Sequence, residues 1–422
     1  MTALQTIMAN FAPLKQRNFR IYLSGQLISL IGTWLQVTAQ GWVVWTLTGS
    51  TVQLGTVSML NTLPLFLLAP WAGSWADRLD RRRLLIIMQS SAMLLAFVLA
   101  VLVLTEQVQI WHIYVLSTLL GVVTAIDLPA QQAFLGDLSG GTEHIRKAIN
   151  LNITINQVSR MLGPAVAGLV VGLLGAGTAF FLNGLSFLAV VISLTLVRAS
   201  QVQSKAKHGD SALRGFAEAL SFVRHHPRLI EALMFASLGT FFGISIVMNI
   251  LPAVASDMLN GDATTLGALM SSSGAGALAG VVLFTPLLQA RKRLGLTLAS
   301  VAIAAGMGFA LLGVSESLPI AMLGLFIGGL AMPSVISTVI GVLQVSAPVT
   351  MRARMMGVFN MVSFGLQPLA ALWIGWSAEH FGLHQAILLN ATCLIGLSAL
   401  LLLRRPLRQW EFDAVQAAAD VR

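Results

Sequence analysis

The sequence predicts an all-α integral membrane protein: twelve transmembrane helices arranged as two parallel six-helix repeats. Three observations carry this expectation. First, the 422-residue chain is 56 % hydrophobic and only 10 % charged, whereas a soluble domain averages roughly 45–50 % apolar and about 25 % charged residues. Second, apolar runs long enough to cross a bilayer core of about 30 Å recur from end to end. Third, the chain repeats itself. NQVSRMLGPAVAG from Asn156 aligns with NMVSFGLQPLAAL from Asn360, and at the same offset Pro129 falls on Pro333. Slightly further on, GAGTAFFLN ending at Asn183 is answered by GLHQAILLN ending at Asn390, and Arg81–Arg83 by Arg291–Arg293.

Helices are expected rather than strands because runs such as Leu84–Leu104 and Leu383–Leu403 are continuous. Membrane barrels instead alternate over segments of about ten residues. The predicted spans are 20–47, 52–76, 83–104, 110–135, 148–173 and 178–197 in the first repeat. In the second they are 229–255, 264–289, 294–314, 319–345, 355–378 and 383–403. The domains expected are therefore an N-terminal bundle over 1–197, a linker over 198–228, a C-terminal bundle over 229–405 and a tail over 406–422. Span 1 is expected to act as an uncleaved insertion signal, since no small-residue processing site follows the basic residues Lys15, Arg17 and Arg20.

Charge gives the topology. With the N-terminus placed inside, every Lys and Arg except Arg160 falls on the inner side of the membrane or at its inner edge. The outer connectors carry acids instead, at Glu106, Asp257, Asp262, Glu316 and Glu379. This is the positive-inside pattern, and it predicts both termini in the cytoplasm and the inner (plasma) membrane as the location. The net charge of +9 is thereby explained without a nucleic-acid partner.

Taken in order, the spans differ in what they offer. Span 1 carries Gln26, Ser29, Thr33, Gln36 and Gln40 at steps of three and four, one stripe along a helix. Such a stripe reads as a cavity wall, or alternatively as hydrogen bonding between helices. Spans 2 and 3 are joined by GSWADRLDRRRLL, residues 73–85, with charged residues crowded between two apolar runs. Span 4 offers Ser117, Thr124, Asp127 and Gln131, and span 5 carries Arg160 and the small-residue turn Gly163, Pro164 and Gly168. Asp127 is the one acid placed well inside a span and Arg160 the one cation. Each is costly there unless paired or hydrated, so the two are expected to pair across adjacent helices.

In the second repeat, span 7 is aromatic and soft, with Phe235, Phe241, Phe242 and Met248, and Asn249 as its polar point. Span 10 adds Ser334, Ser337, Gly341 and Gln344. The mixed polar and aromatic lining proposed from Gln26, Ser29, Thr33, Gln36, Gln40, Thr124, Gln131, Phe241, Phe242, Asn249, Ser334 and Ser337 suits an amphipathic organic solute. GAGALAG in span 8 follows no strand and reads as close helix packing, not a nucleotide loop. His225-His226 reads as a solvated loop, and His380 and His384 lack a companion acid or thiolate for a metal. No cofactor is expected, and no convergent catalytic set supports an enzyme. The lone Cys393 has no disulfide partner.

The connector's pattern, Gly73-x-x-x-Asp77-Arg78-x-x-Arg81-Arg82-Arg83, resembles the signature loop between helices 2 and 3 of the major facilitator superfamily. That family usually has Gly where this chain has Asp80. FRIYLSGQLISLIGTWLQ near the start, DLPAQQAF at 127–134 and RMLGPAVAG at 160–168 resemble its drug and siderophore exporters, including the enterobactin exporter and macrolide-efflux proteins. The resemblance implies alternating access between two halves, with helices 1, 4, 7 and 10 lining the path. It also implies a gating loop in which Gly73 permits close approach, Asp77 accepts from the start of helix 11 near Met355, and Arg78, Arg81 and Arg82 hold the inner face. The second-repeat copy, TPLLQARKR, lacks the acid. Gly163-Pro164-x-x-Ala167-Gly168 is similar to the antiporter turn on helix 5, with Ala167 and Ser159 replacing glycines. The superfamily often carries an arginine on helix 4, a charge that Arg160 would here supply from helix 5. The implied function is a proton-coupled, monomeric exporter of a small amphipathic molecule. The alternatives are an importer or lipid flippase of the same fold, and, in another class, a membrane sensor without flux or a membrane enzyme.

Overall fold

The computed structural model describes residues 14, 16–138, 142–197, 212–289, 293–348 and 351–403. Every extended element in it is helical. The first repeat contains α1 (Arg17–Thr48), α2 (Thr51–Arg78), α3 (Arg81–Leu104), α4 (Ile110–Leu138), α5 (Thr142–Leu174) and α6 (Ala176–Leu196). A linker helix, α7 (Ala212–Arg224), precedes the second repeat. That repeat comprises α8 (Pro227–Met258), α9 (Ala263–Leu288), α10 (Leu294–Gly313), α11 (Leu318–Ser346), α12 (Arg352–Phe381) and α13 (Leu383–Leu402). All but α7 include a stretch long and apolar enough to cross a membrane, twelve in number among the described residues. Spans 7 to 12 of the sequence correspond to α8 to α13.

The repeat is visible in the backbone. Gly175, between α5 and α6, has φ 81° and ψ 162°, and Gly382, between α12 and α13, has φ 85° and ψ 157°. Both are conformations open essentially to glycine alone. Eight residues further on, just over two helical turns, the matched Asn183 and Asn390 are each fully buried. Pro129, Pro164, Pro333 and Pro368 all lie inside unbroken helices, as neighbouring helices in a membrane can re-satisfy the freed carbonyls.

By compactness the chain forms two units. One comprises residues 1–43 and 63–208, the other residues 44–62 and 209–422. The core of the first unit gathers Phe19, Tyr22 and Leu23 of α1, Leu84 and Leu85 of α3, Phe134 and Leu135 of α4, and Val190 and Leu194 of α6. Tyr22 meets Phe134 edge to face at 5.4 Å. In the second unit, small residues bring backbones together: a Cβ on Gly276 of α9 would lie 2.2 Å from the Phe326 carbonyl oxygen of α11, and one on Gly329 would lie 2.2 Å from that of Ser273. GAGALAG thus serves helix packing.

Three features depart from the sequence reading. The linker contains a helix: α7 buries Ala219 and Val223, packs on α12, and pairs Glu218 with Arg354. His225 and His226, expected in a solvated loop, close the end of this helix, with their Nδ1 atoms 2.7 Å from the Ser221 and Phe222 carbonyl oxygens. Finally, α8 widens into i→i+5 turns over Gly239–Ile244, Ile246–Ile250 and Val254–Met258. Wide turns of this kind cluster at functional sites. Pro252, which cannot donate a backbone hydrogen bond, lies among them.

Candidate functional site

In the first unit, α1, α3 and α4 converge on one carboxylate. Asp127 of α4 is 9 % exposed. Its Oδ2 accepts from Gln131 Nε2, one turn along the same helix, at 2.5 Å, and from Gln89 Nε2 of α3 at 2.9 Å. Gln131 Oε1 in turn accepts from Gln26 Nε2 of α1 at 3.1 Å. Gln26 and Gln89 are 6 % and 4 % exposed, so this is an interior network, with Tyr22 one turn before Gln26. Its accounting is lopsided. Among the described residues, Asp127 Oδ1, Gln89 Oε1 and Gln26 Oε1 are buried without any donor. All three are acceptors. An ionised carboxylate cannot donate, whereas a protonated one supplies an O–H. The site therefore lacks what a proton would provide.

The expected pairing of Asp127 with Arg160 is not present. The amides of Gln89 and Gln131 take the carboxylate instead, and among the described residues Arg160 makes no ion pair or hydrogen bond. It stays half-buried on α5. Helix spacing had allowed the two charges to meet at similar depth, but depth along two helices says nothing about which faces turn together.

The polar stripe of α1 likewise has a different use from a cavity wall over most of its length. Besides the bond from Gln26, Gln36 Oε1 accepts from Asn183 Nδ2 of α6, and Gln40 Nε2 donates to Ser117 of α4 at 2.8 Å. Gln26, Ser29 and Gln36 are buried. The stripe thus ties α1 to α4 and α6, because an amide in a bundle interior finds a partner on the next helix. Thr33 and Thr124 are exposed, each hydroxyl bonded one turn back, to the Ser29 and Leu120 carbonyls. In α8, Phe241 and Phe242 meet edge to face at 4.9 Å and are half-buried. Asn249 is buried, donating to the Ser245 carbonyl, with its own Oδ1 unpartnered among the described residues. In α11, Ser334 is fully buried and bonded to the Leu330 carbonyl, and Ser337 is half-buried. On α5, Pro164 and Gly168 are buried in a continuous helix. Gly163 packs against Trp34 of α1, whose Cβ would be 2.5 Å from an added Cβ.

Of the gating loop, Gly73, Asp77 and Arg78 end α2, and their side chains lie outside the described residues. The rest is defined. Asp80 caps α3, its Oδ1 accepting from the Arg83 N–H at 2.8 Å. Its φ of −62° needs no glycine, which explains why an acid can stand where the family usually has one. Arg81 Nη1 reaches both carboxylate oxygens of Asp137 at the end of α4, at 2.8 and 3.0 Å. Arg82 donates to the Leu194 and Thr195 carbonyls at the end of α6, both at 2.7 Å, where helix carbonyls lack partners and cations are favoured. The arginines therefore fasten α3 to α4 and α6.

Sequence reasoning missed Gln89, although a glutamine inside the apolar run LLIIMQSSAMLL is a signal of its own. Glu231, in the first turns of α8, is a second buried acid at 2 % exposure.

Comparison with known proteins agrees with this architecture. Over 179 residues the chain is 32 % identical to the staphyloferrin A transporter of Staphylococcus aureus, covering 42 % of this chain and 45 % of that one, so the match spans about half of that relative's length. It is 23 % identical to the multidrug efflux pump Tap of Mycolicibacterium fortuitum over 87 % of this chain and 91 % of the relative. Against macrolide efflux protein A of Streptococcus pyogenes the figures are 22 %, 88 % and 92 %. The crystal structure of the nucleoside transporter NupG superposes with a TM-score of 0.72 at 12 % identity, over 92 % of this chain and 98 % of that one, and so shares the fold. The family model described as transmembrane secretion effector matches residues 8–421. The chain belongs to that family of the major facilitator superfamily.

Proposed function

We propose that this transporter exports a small amphipathic organic molecule by alternating access and couples export to proton entry through Asp127. The observation that carries the reading is the acceptor surplus around that carboxylate: among the described residues, Asp127 Oδ1, Gln89 Oε1 and Gln26 Oε1 are all buried without a donor. A bare charge at membrane depth is costly, and one proton on Asp127 both removes it and supplies one O–H donor to a site that has a surplus of acceptors. Because the network joins α1, α3 and α4, loading and releasing that proton changes the bonding demand of three helices at once. A ligand acts on a conformational equilibrium through such differences between states.

The solute class rests on two supports. Relatives are named for a siderophore, for macrolides and for multiple drugs. Arg160, a half-buried cation without an ion pair among the described residues, favours a solute bearing an anionic group. The arginine distribution supports an inner-membrane protein with both termini cytoplasmic, and we take the monomer as the working unit.

The test is transport in proteoliposomes with an imposed pH gradient, screened over siderophores, macrolides and cationic dyes. We expect gradient-dependent accumulation that a protonophore abolishes. Flux indifferent to the pH gradient for every transported solute would refute proton coupling. Arg160→Gln is expected to weaken anionic solutes more than neutral ones.

A further inference from the structure

At the opposite end of the bundle from the arginine connectors, α2 and α12 meet backbone to backbone. A Cβ on Gly55 of α2 would lie 2.3 Å from the Ala371 carbonyl oxygen, and one on Gly375 of α12 would lie 2.5 Å from that of Thr51. Such spacing requires glycine at both positions. Above this contact, the last turn of α12 presents Glu379 to the first turn of α2. Its Oε2 accepts from the Thr51 N–H at 2.8 Å, from the Val52 N–H at 3.4 Å and from the Ser50 hydroxyl at 3.1 Å. The Thr51 hydroxyl lies 2.8 Å from the Gly375 carbonyl oxygen and 3.0 Å from Glu379 Oε2, so its single proton is shared between them. The first N–H groups of a helix have no partner within it, and the macrodipole favours an anion there. Glu379 thus caps a helix of the other repeat, and residues 44–62, which contain that cap, group with the second repeat and not with the rest of the first.

We propose that Glu379 is the latch of a gate formed by the first turn of α2 and the last turn of α12, closed here and released when that end of the path opens. The assignment rests on alternating access, since only a chain whose repeats part at this end would need a releasable contact there. Three features favour a latch over static packing. The carboxylate acts between repeats, not within one. Its acceptance is concentrated on one oxygen at a helix start, so separation of the two helices breaks all its bonds together. The glycine pair lets the helices close fully without interlocking side chains that would hinder parting. The arrangement also complements the Asp77 expectation: there an acid ending α2 would cap α12, and here an acid ending α12 caps α2.

The test is a distance measurement on the full-length chain in liposomes. Carry Cys393→Ser, then place spin labels at the exposed Leu47 and His380. Compare native Glu379 with Glu379→Gln and Glu379→Ala. Loss of charge-assisted bonds to a helix start predicts an open-to-closed ratio raised by about tenfold, with the alanine variant shifted at least as far as glutamine. Distance distributions unchanged in both variants would overturn the proposal. Should neither variant fold, Thr51→Val removes the shared hydroxyl while keeping its volume. A shift toward longer distances supports the latch, and no shift overturns it. The readout needs neither solute nor pH gradient, so it stands apart from the proton-coupling test.

Discussion

Replacing Asp127 by Asn separates a proton carrier from a structural buried carboxylate. The side chains are nearly isosteric. The amide oxygen can keep both donors now on Oδ2, from Gln89 and Gln131. Those bonds fall from the charge-assisted range of about 1.5–3 kcal/mol each to about 0.5–1.5, a loss of roughly 2–3 kcal/mol together. Against this, the buried charge and its desolvation cost of several kcal/mol disappear. The terms offset, so folding stability should move by no more than about 1 kcal/mol, a few degrees in Tm at most. Asp127→Ala behaves differently: two glutamine NH2 groups lose their acceptor, at about 1–3 kcal/mol each. The assay is transport in proteoliposomes alongside thermal unfolding in detergent. Asn-substituted protein should fold, bind and exchange solute, yet fail to accumulate it under a pH gradient. If the Asn variant accumulates solute as the native protein does, Asp127 is not the proton site.

Other consequences are equally direct. Gly55→Val or Gly375→Val drives a side chain into a facing carbonyl of the backbone, which cannot swing aside. Either should cost about 1–3 kcal/mol as overpacking does and bias spin-label distances at that end toward the open form. Arg82→Ala leaves the Leu194 and Thr195 carbonyls without their donor and should lower stability by about 1–2 kcal/mol, read as a drop in Tm. Asp262 accepts from the Thr264 hydroxyl and from the Thr264 and Thr265 N–H groups, which hold its carboxyl below the usual range. With the folded value depressed, the contribution is complete above the unfolded value of about 3.9 and is lost as pH falls through the folded one. Asp262→Ala should therefore cost about 1 kcal/mol at neutral pH, as lost caps do, with the gap from the native protein closing in strong acid. For topology, with Cys393→Ser, cysteines at Thr105 and Ser317 should react with impermeant thiol reagents from outside and one at Ser204 should not. Labelling of Thr105 only from inside would refute the assigned orientation.

Much of this molecule was written in one dimension. Span number, helix rather than strand, the repeat and the charge asymmetry all follow from the solvent: a bilayer demands continuous apolar runs and internally bonded backbone, and those demands act on consecutive residues. The Gly175 and Gly382 turns and the buried Asn183 and Asn390 could be matched in the sequence before any fold was known. What needed the tertiary structure was the rotation of each helix about its own axis. Periodicity put Gln26, Gln36 and Gln40 on one face of α1, but only packing turned that face to Gln131, Asn183 and Ser117. Asp127 and Arg160 stood out as lone charges, yet side chains a few ångströms long pair only when their faces meet, and the face of α4 that carries Asp127 meets Gln89. Glu379 read as one of several acids in outer connectors. Its partner lies more than three hundred positions earlier in the chain, a separation over which local pattern carries no information. Sequence determined which residues are polar in the membrane; folding decided which of them have partners, because partnership depends on helix rotation that no apolar period specifies.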